Sequence, residues 1–208
     1  MILIGQYDSP FVRRVGVAMR LYSLTFEHRP WSVFADGERL VAYNPLRRVP
    51  TLVLDDGEVL IETAAILDHL DESVGPGRAL VAKSGSARRM ALKLCALAGG
   101  VSDKAVSMFY EKALHATASD IWVDRCTAQI GSALDALEAD RRARSTSWWL
   151  GQSLSHVDIA VACALRFIGE AHPDVLDAAR WPGLVAHGER CEVLAVFQEI
   201  SQPFIAPA

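Results

Sequence analysis

The spacing of apolar positions changes part-way along the chain, and that change divides it. Met1 to Ile4 is a short continuous apolar run, of the kind that suits a strand buried on both faces. Asp8-Ser9-Pro10 follows as a helix start, a capping residue with proline at the first helical position. From Phe11 to Tyr22 the apolar set Val12, Val15, Val17, Ala18, Met19, Leu21 and Tyr22 favours helix over strand. Thr25 to Trp31 predicts a second strand, confined to an end or an edge by Pro30. Ala35 to Tyr43 reads as a short, irregular helix, and Asn44-Pro45 breaks it. Thr51 to Leu54 predicts a strand, Asp55-Asp56-Gly57-Glu58 a hairpin turn, and Val59 to Ile61 the partner strand. Glu62 to Glu72 is a helix on the stripe Ala65, Ile66, Leu67 and Leu70.

The predicted order is therefore β-α-β-α-β-β-α, closed by the turn Gly75-Pro76-Gly77. Everything beyond reads as helix. Ala87 to Leu114 and Ser119 to Leu137 are long enough for bundle helices, and helical periodicity returns from Ser155 to Gly169 and from Trp181 to Ile200. A mixed α/β stretch followed by an all-α stretch predicts two domains, residues 1–75 and 85–208. There is no internal repeat and no low-complexity segment.

Composition narrows the class. With 208 residues, 51% hydrophobic and 22% charged, the chain has ordinary globular make-up. A formal net charge of -4 argues against a nucleic-acid partner, because no large positive field collects phosphates. Arg13-Arg14 and Arg141-Arg142-Ala143-Arg144 read as solvated helix faces or ends. The start, MILIGQY, has no basic region before its apolar run, and no stretch of about 18 apolar residues spans a membrane. The expected location is the cytoplasm. Cys95, Cys126, Cys163 and Cys191 form no CxxC pair and sit in apolar helical stretches, so buried free thiols are expected. The six histidines lack ligand spacing, and no metal is expected.

Two stretches carry a specific resemblance. YDSPFVRRV is similar to the corner between strand 1 and helix 1 of the cytosolic glutathione S-transferases, in the serine-type, bacterial-like form. NPLRRVPTLVLDDGEVLIETAAILDHLDE is similar to the second half of their first domain, where NP-x-x-x-VP-x-L leads to a hairpin and then to an acidic residue plus Ser or Thr opening a helix. The helical remainder, with SLSHVDIAVACAL inside it, resembles their second domain. The likeness covers nearly the whole chain, most specifically residues 44 to 72. It implies an α/β plus all-α fold: an N-terminal thioredoxin-like domain (βαβαββα) with a C-terminal helical-bundle domain.

The resemblance also implies a site. Taken alone, Val49-Pro50 gives no reason to depart from the usual trans bond. The family implies a cis bond that turns the Val49 backbone toward a cleft, where it pairs with the cysteinyl backbone of glutathione as an added strand does. Glu62-Thr63 opens a helix, whose free N–H groups and partial positive charge suit the γ-glutamyl carboxylate, while the Glu62 carboxylate suits the ammonium. Serine is commoner than threonine there in the family; both present a hydroxyl. Ser9 lies where the glutathione sulfur is expected. A hydroxyl hydrogen bond plus a helix N-terminus stabilises a thiolate, and lowering a thiol pKa by about 2 units needs roughly 2.7 kcal/mol. Tyr7 is the rival activator, and Phe11 joins the implied glutathione contacts. Arg13, Arg47 and Arg48 are candidates for the glycine carboxylate, with Arg48 best placed beside Val49-Pro50.

Position 9 is not cysteine and position 12 is Val12, which disfavours dithiol oxidoreductase chemistry. Ser155-His156-Val157-Asp158 is a capping-box pattern with Asp in place of Glu, a folding element rather than a catalytic one. Met108, Tyr110 and His115 are candidates for a second-substrate pocket between the domains, and Trp148 and Trp149 for bundle interior. The implied activity is conjugation of glutathione, as substrate, to an electrophilic small molecule. A glutathione-dependent isomerase or dehalogenase and a non-catalytic binding protein are the alternatives. Members of the family usually form two-fold dimers, so a homodimer is expected.

Overall fold

The computed structural model describes residues 1–205. They form two compact units, one built from residues 1–83 and 195–203, the other from residues 84–194 and 204–205.

The first unit holds a four-stranded sheet in the order β2-β1-β3-β4. Its strands are β1 (Ile2–Ile4), β2 (Glu27–Arg29), β3 (Thr51–Val53) and β4 (Val59–Ile61). β1 and β2 are parallel, as their connection through the helix α1 (Pro10–Leu21) requires, whereas β3 runs antiparallel to both β1 and β4. Alternation of side chains sorts the two faces. Leu3 and Leu52 are fully buried on the face covered by α1 and by α3 (Thr63–Val74). Ile4 and Val53 pack with Leu40 of the single-turn helix α2 (Gly37–Leu40), together with Trp31, Val33, Tyr43 and Val49. The end of α1 is tied to α3 by a hydrogen bond from the Tyr22 hydroxyl to Asp71. The Leu80 N–H donates to both of these side chains, at 3.0 and 3.1 Å.

The second unit contains α4 (Gly85–Leu114), α5 (Asp120–Arg142), α6 (His156–Ala171), a 3-10 turn at Pro173–Val175 and α7 (Pro182–Glu192). α6 is buried nearly all round, and its residues Val157 and Ile159 to Leu165 are apolar almost without interruption. At its start the Asp158 carboxylate accepts from the Ser155 N–H at 2.8 Å, from the Ser155 hydroxyl at 2.6 Å and from the Trp149 N–H at 2.7 Å. Asp158 thus satisfies the entry of a buried helix, the folding role expected of it. Glu138 of α5 does the same for α7, accepting from the Gly183 and Leu184 N–H groups at 3.0 and 2.8 Å. Trp149 is fully buried and Trp148 only partly so. All four cysteines are buried and none is joined in a disulfide.

The stretch from Trp181 to Ile200, which reads as one helix, is two. α7 ends at Glu192, and α8 (Ala195–Glu199) belongs to the first unit, where it packs on α1. Arg13 explains how it is held there. Far from being solvated, Arg13 is 2% exposed; its Nε donates to the Ile200 carbonyl at 2.8 Å and its Nη2 to the Phe197 carbonyl at 2.9 Å. Gly16 gives the close approach, since a Cβ there would lie 2.8 Å from an Ile200 methyl carbon.

Among the described residues no helix is long and apolar enough to cross a membrane, and no group of three or more His, Cys, Asp or Glu side chains is arranged to hold a metal ion.

Candidate active site

Strand register decides which candidates meet. Ile4 is opposite Arg29 on one side and Thr51 on the other, and Thr51 is opposite Ile61. The ends of β1, β2 and β4 and the beginning of β3 therefore form one row at one edge of the sheet. The chain leaves β1 there toward Ser9 and α1, enters β3 there through Val49-Pro50, and leaves β4 there toward Glu62 and α3. Gly5 lets the first two approach: with φ at +128°, a Cβ on it would lie 2.5 Å from Val12 Cγ2 and 2.8 Å from Val49 Cβ.

Ser9 is the N-cap of α1, in extended conformation, with Pro10 at the first helical position. Its Oγ lies 3.4 Å from the Val12 N–H. That exceeds the ordinary 2.7–3.2 Å range, so the hydroxyl is only weakly held by its own helix. No acidic residue occupies the first turn to cancel the positive end of the helix. Phe11, in that turn, is partly buried.

Tyr7 has other contacts. Its ring stacks on His28, with centroids 3.8 Å apart and planes within 7°. A Cβ on Gly16 would lie 3.1 Å from Tyr7 Cε1, and the charges acting on the Tyr7 hydroxyl are Arg20 and Glu199. Arg20 stands eleven residues beyond Ser9, about 16 Å along the helix. Burial pushes the Tyr7 phenol up to about 12, against a smaller opposing effect of Arg20. The ring thus points along α1 toward its C-terminal half.

The Val49-Pro50 bond is cis. Among the described residues, no hydrogen bond is made by the Val49 N–H or C=O. The loop is braced by Asn44, which reads in the sequence only as a breaker. Its buried amide donates to the Arg48 carbonyl at 2.9 Å and accepts from the Leu46 N–H at 3.0 Å; the Thr51 hydroxyl donates to the same Arg48 carbonyl at 3.2 Å. An Asn before such a loop can supply both a donor and an acceptor, the one local signal for this role.

Glu62, the N-cap of α3, has φ at +68° and ψ at 126°. A non-glycine residue held there costs on the order of 1–3 kcal/mol, and such strain concentrates at functional sites. Its exposed carboxylate lies 3.6 Å from Arg48 Nη1, while Thr63 is buried as the first residue of the helix. Arg47 is paired with Glu38 at 3.0 Å. Arg13 is removed from the candidates for a ligand carboxylate, because its guanidinium is consumed by the carbonyls of residues 197 and 200.

The three second-substrate candidates do not converge. Met108 is fully buried and its sulfur receives the Thr127 hydroxyl at 3.5 Å, so it is core rather than pocket wall. Tyr110 is partly buried beside Phe109, with ring centroids 6.0 Å apart. His115 is exposed at the end of α4 and 3.1 Å from Glu111. A recess of about 310 Å³ within the second unit is lined by Phe109, Lys112, His172, Pro173 and Val175, among others, and by none of these three.

Residues 3–78 match the model of the glutathione S-transferase N-terminal domain, and residues 120–190 that of the glutathione S-transferase C-terminal domain. The chain belongs to the glutathione S-transferase family. A glutathione transferase family member from Pseudomonas fluorescens Pf-5, solved with bound glutathione, superposes with a TM-score of 0.83 at 31% identity, covering 98% of this chain and 99% of that one. The uncharacterized GST-like protein YibF of Escherichia coli is 27% identical over 172 residues, 81% of this chain and 82% of its own. The maleylacetoacetate isomerase of Pseudomonas aeruginosa is 39% identical over 77 residues, which is 35% of this chain and only 36% of that enzyme. In transferase terms the fold expected from the sequence is the one found, a small mixed sheet with helices followed by a helical unit.

Proposed function

We propose that this transferase-family protein binds glutathione along the Val49 edge and adds its thiolate to an electrophilic small molecule. The supporting observation is the strand register, which sets an unpaired backbone edge between two helix N-termini. A tripeptide with acidic ends and a central thiol matches that layout. The Val49 N–H and C=O pair with the cysteinyl backbone. The N-terminus of α3 and Thr63 take the γ-glutamyl carboxylate, Glu62 takes the ammonium, and Arg48 takes the glycine carboxylate. Phe11 shields the cysteinyl end.

The chemistry then falls to Ser9. A thiol with a pKa of about 8.5 is only a few per cent ionised at neutral pH. The Ser9 hydroxyl, weakly engaged by its own helix, donates to the sulfur and stabilises the anion as the proton leaves to solvent. The thiolate attacks the electrophilic carbon, a C–S bond forms, and a leaving group such as halide departs with its electron pair. Tyr7 is the weaker candidate, because its raised phenol points toward Arg20 and Glu199. We place the protein in the cytoplasm as a homodimer, with residues 1–75 as the glutathione domain and 85–208 as the helical one; four buried cysteines outside any disulfide fit a reducing compartment.

The identity to a maleylacetoacetate isomerase favours a second reading, a glutathione-dependent isomerase. Retention on immobilised glutathione, followed by assays with a generic aryl halide and with maleylacetoacetate, separates the two. Conjugation without isomerisation is expected. Failure to bind glutathione would overturn both readings.

A further inference from the structure

We propose that Gln202 is a positioning residue for the thiol-activating corner, through a contact from the C-terminal segment to the loop that carries Ser9. The inference rests on the reading of Ser9 given above.

The loop between β1 and α1 is fastened at three points. At Gly5, the N–H donates to the Arg29 carbonyl at 2.8 Å and the carbonyl accepts from His28 Nε2 at 2.8 Å. At Ser9, the N–H donates to the Gln6 carbonyl at 3.2 Å. Between them, the Tyr7 N–H donates to Gln202 Oε1 at 3.2 Å, across 195 residues of sequence. A backbone amide in a partly buried turn needs a partner, and here a side chain near the far end of the chain supplies it.

Gln202 is itself well placed. Arg13 binds the carbonyls of Phe197 and Ile200, Ile200 fills the notch over Gly16, and Arg20 pairs with Glu199 at 2.9 Å. Three residues just before Gln202, Phe197, Glu199 and Ile200, are thereby fixed against α1. With the Tyr7 ring stacked on His28 and its amide held by Gln202, residue 7 keeps little freedom, and Ser9 follows two residues on. Displacing a hydroxyl by a fraction of an ångström weakens a hydrogen bond to a thiolate more than it weakens ligand binding spread over many contacts.

The test uses the full-length protein with glutathione and an aryl halide. Gln202→Met keeps length and volume but withdraws the oxygen; Gln202→Glu keeps an acceptor at the same reach. The readouts are the pH titration of the bound thiolate by its ultraviolet absorbance, and kcat and KM measured separately. Gln202→Met is expected to raise the apparent thiol pKa by about half a unit and to lower kcat at neutral pH about threefold, with the glutathione KM unchanged within about twofold. Gln202→Glu is expected to restore the wild-type kcat. Should Gln202→Met fail to fold, Gln202→Leu, which also withdraws the acceptor and keeps the space filled by an apolar side chain, is read on the same criteria. If Ser9→Ala shifts the titration and Gln202→Met does not, the positioning role is overturned while Ser9 stands. If Ser9→Ala itself leaves the titration in place, the reading beneath the inference fails.

Discussion

Replacing Arg13 by methionine gives the sharpest test of how the first unit is closed. The substitution keeps much of the apolar stem and removes the guanidinium. The hydrogen bonds lost include two from a charged donor, to the Ile200 and Phe197 carbonyls at 2.8 and 2.9 Å. Each is worth about 1.5–3 kcal/mol, for a gross loss of roughly 3–6 kcal/mol. The stacking of the Arg13 guanidinium over the Phe197 ring, 5.4 Å from its centroid, goes too. Against this, removing a charge from a site only 2% exposed returns part of its desolvation cost. The net expectation is about 2–4 kcal/mol of destabilisation, or roughly 5–15 °C in Tm for a chain of this size. Urea denaturation followed by tryptophan fluorescence measures it, and limited proteolysis beyond residue 194 reports whether the C-terminal segment has been released. Arg142, exposed on α5, is the control, and Arg142→Met should stay within about 0.5 kcal/mol. An Arg13→Met protein as stable as that control would refute the clamp and restore Arg13 to the solvated cluster its neighbours in sequence suggest.

Ser9→Ala should raise the pKa of bound glutathione by about 1–2 units, the worth of one charge-assisted hydrogen bond, with little change in affinity. Its stability cost should be at the low end of the cap range, about 0.5 kcal/mol, because the cap bond is long, and a thermal melt checks this. Glu62→Ala should weaken glutathione binding about tenfold, more than Ser9→Ala does, as titration calorimetry would show; equal losses would contradict the ranking. Burial lowers the pKa of His28, of His172 and of His187, the last in spite of Asp158 at 3.3 Å and with Arg141 and Arg190 adding to the fall. The unfolded chain therefore takes up protons near pH 6.5 that the folded one refuses. Stability should be full above that pH and fall on acidification toward pH 5, by up to about 1.4 kcal/mol per unit for each group, and His187→Gln should flatten the slope in denaturant midpoints.

Much of the fold was legible because its signals are local. Ser9-Pro10 announces the start of α1, the Asp-Asp-Gly-Glu turn sets the hairpin, and the return of apolar residues every three or four positions gives the long helices. What stayed hidden depends on partners far along the chain. The break between α7 and α8 falls in RCEVLAV, which contains neither glycine nor proline and keeps a helical apolar spacing across the gap. Arg13 looked solvated because its ligands are carbonyls 184 and 187 residues away. Met108 lies on the same helix as candidates that are partly or fully exposed, and only the packing against α5 shows which way it faces. The positive φ of Glu62 has no sequence signature, since glycine or asparagine is the residue that normally announces it.

The glutathione layout is tested most directly by a crystal structure of the protein soaked with glutathione. The account predicts the sulfur within about 3.5 Å of Ser9 Oγ, the cysteinyl backbone paired with the Val49 N–H and C=O, and the γ-glutamyl carboxylate at the start of α3. Glutathione bound with its sulfur away from the start of α1, or with the Val49 backbone left unpaired, would contradict it.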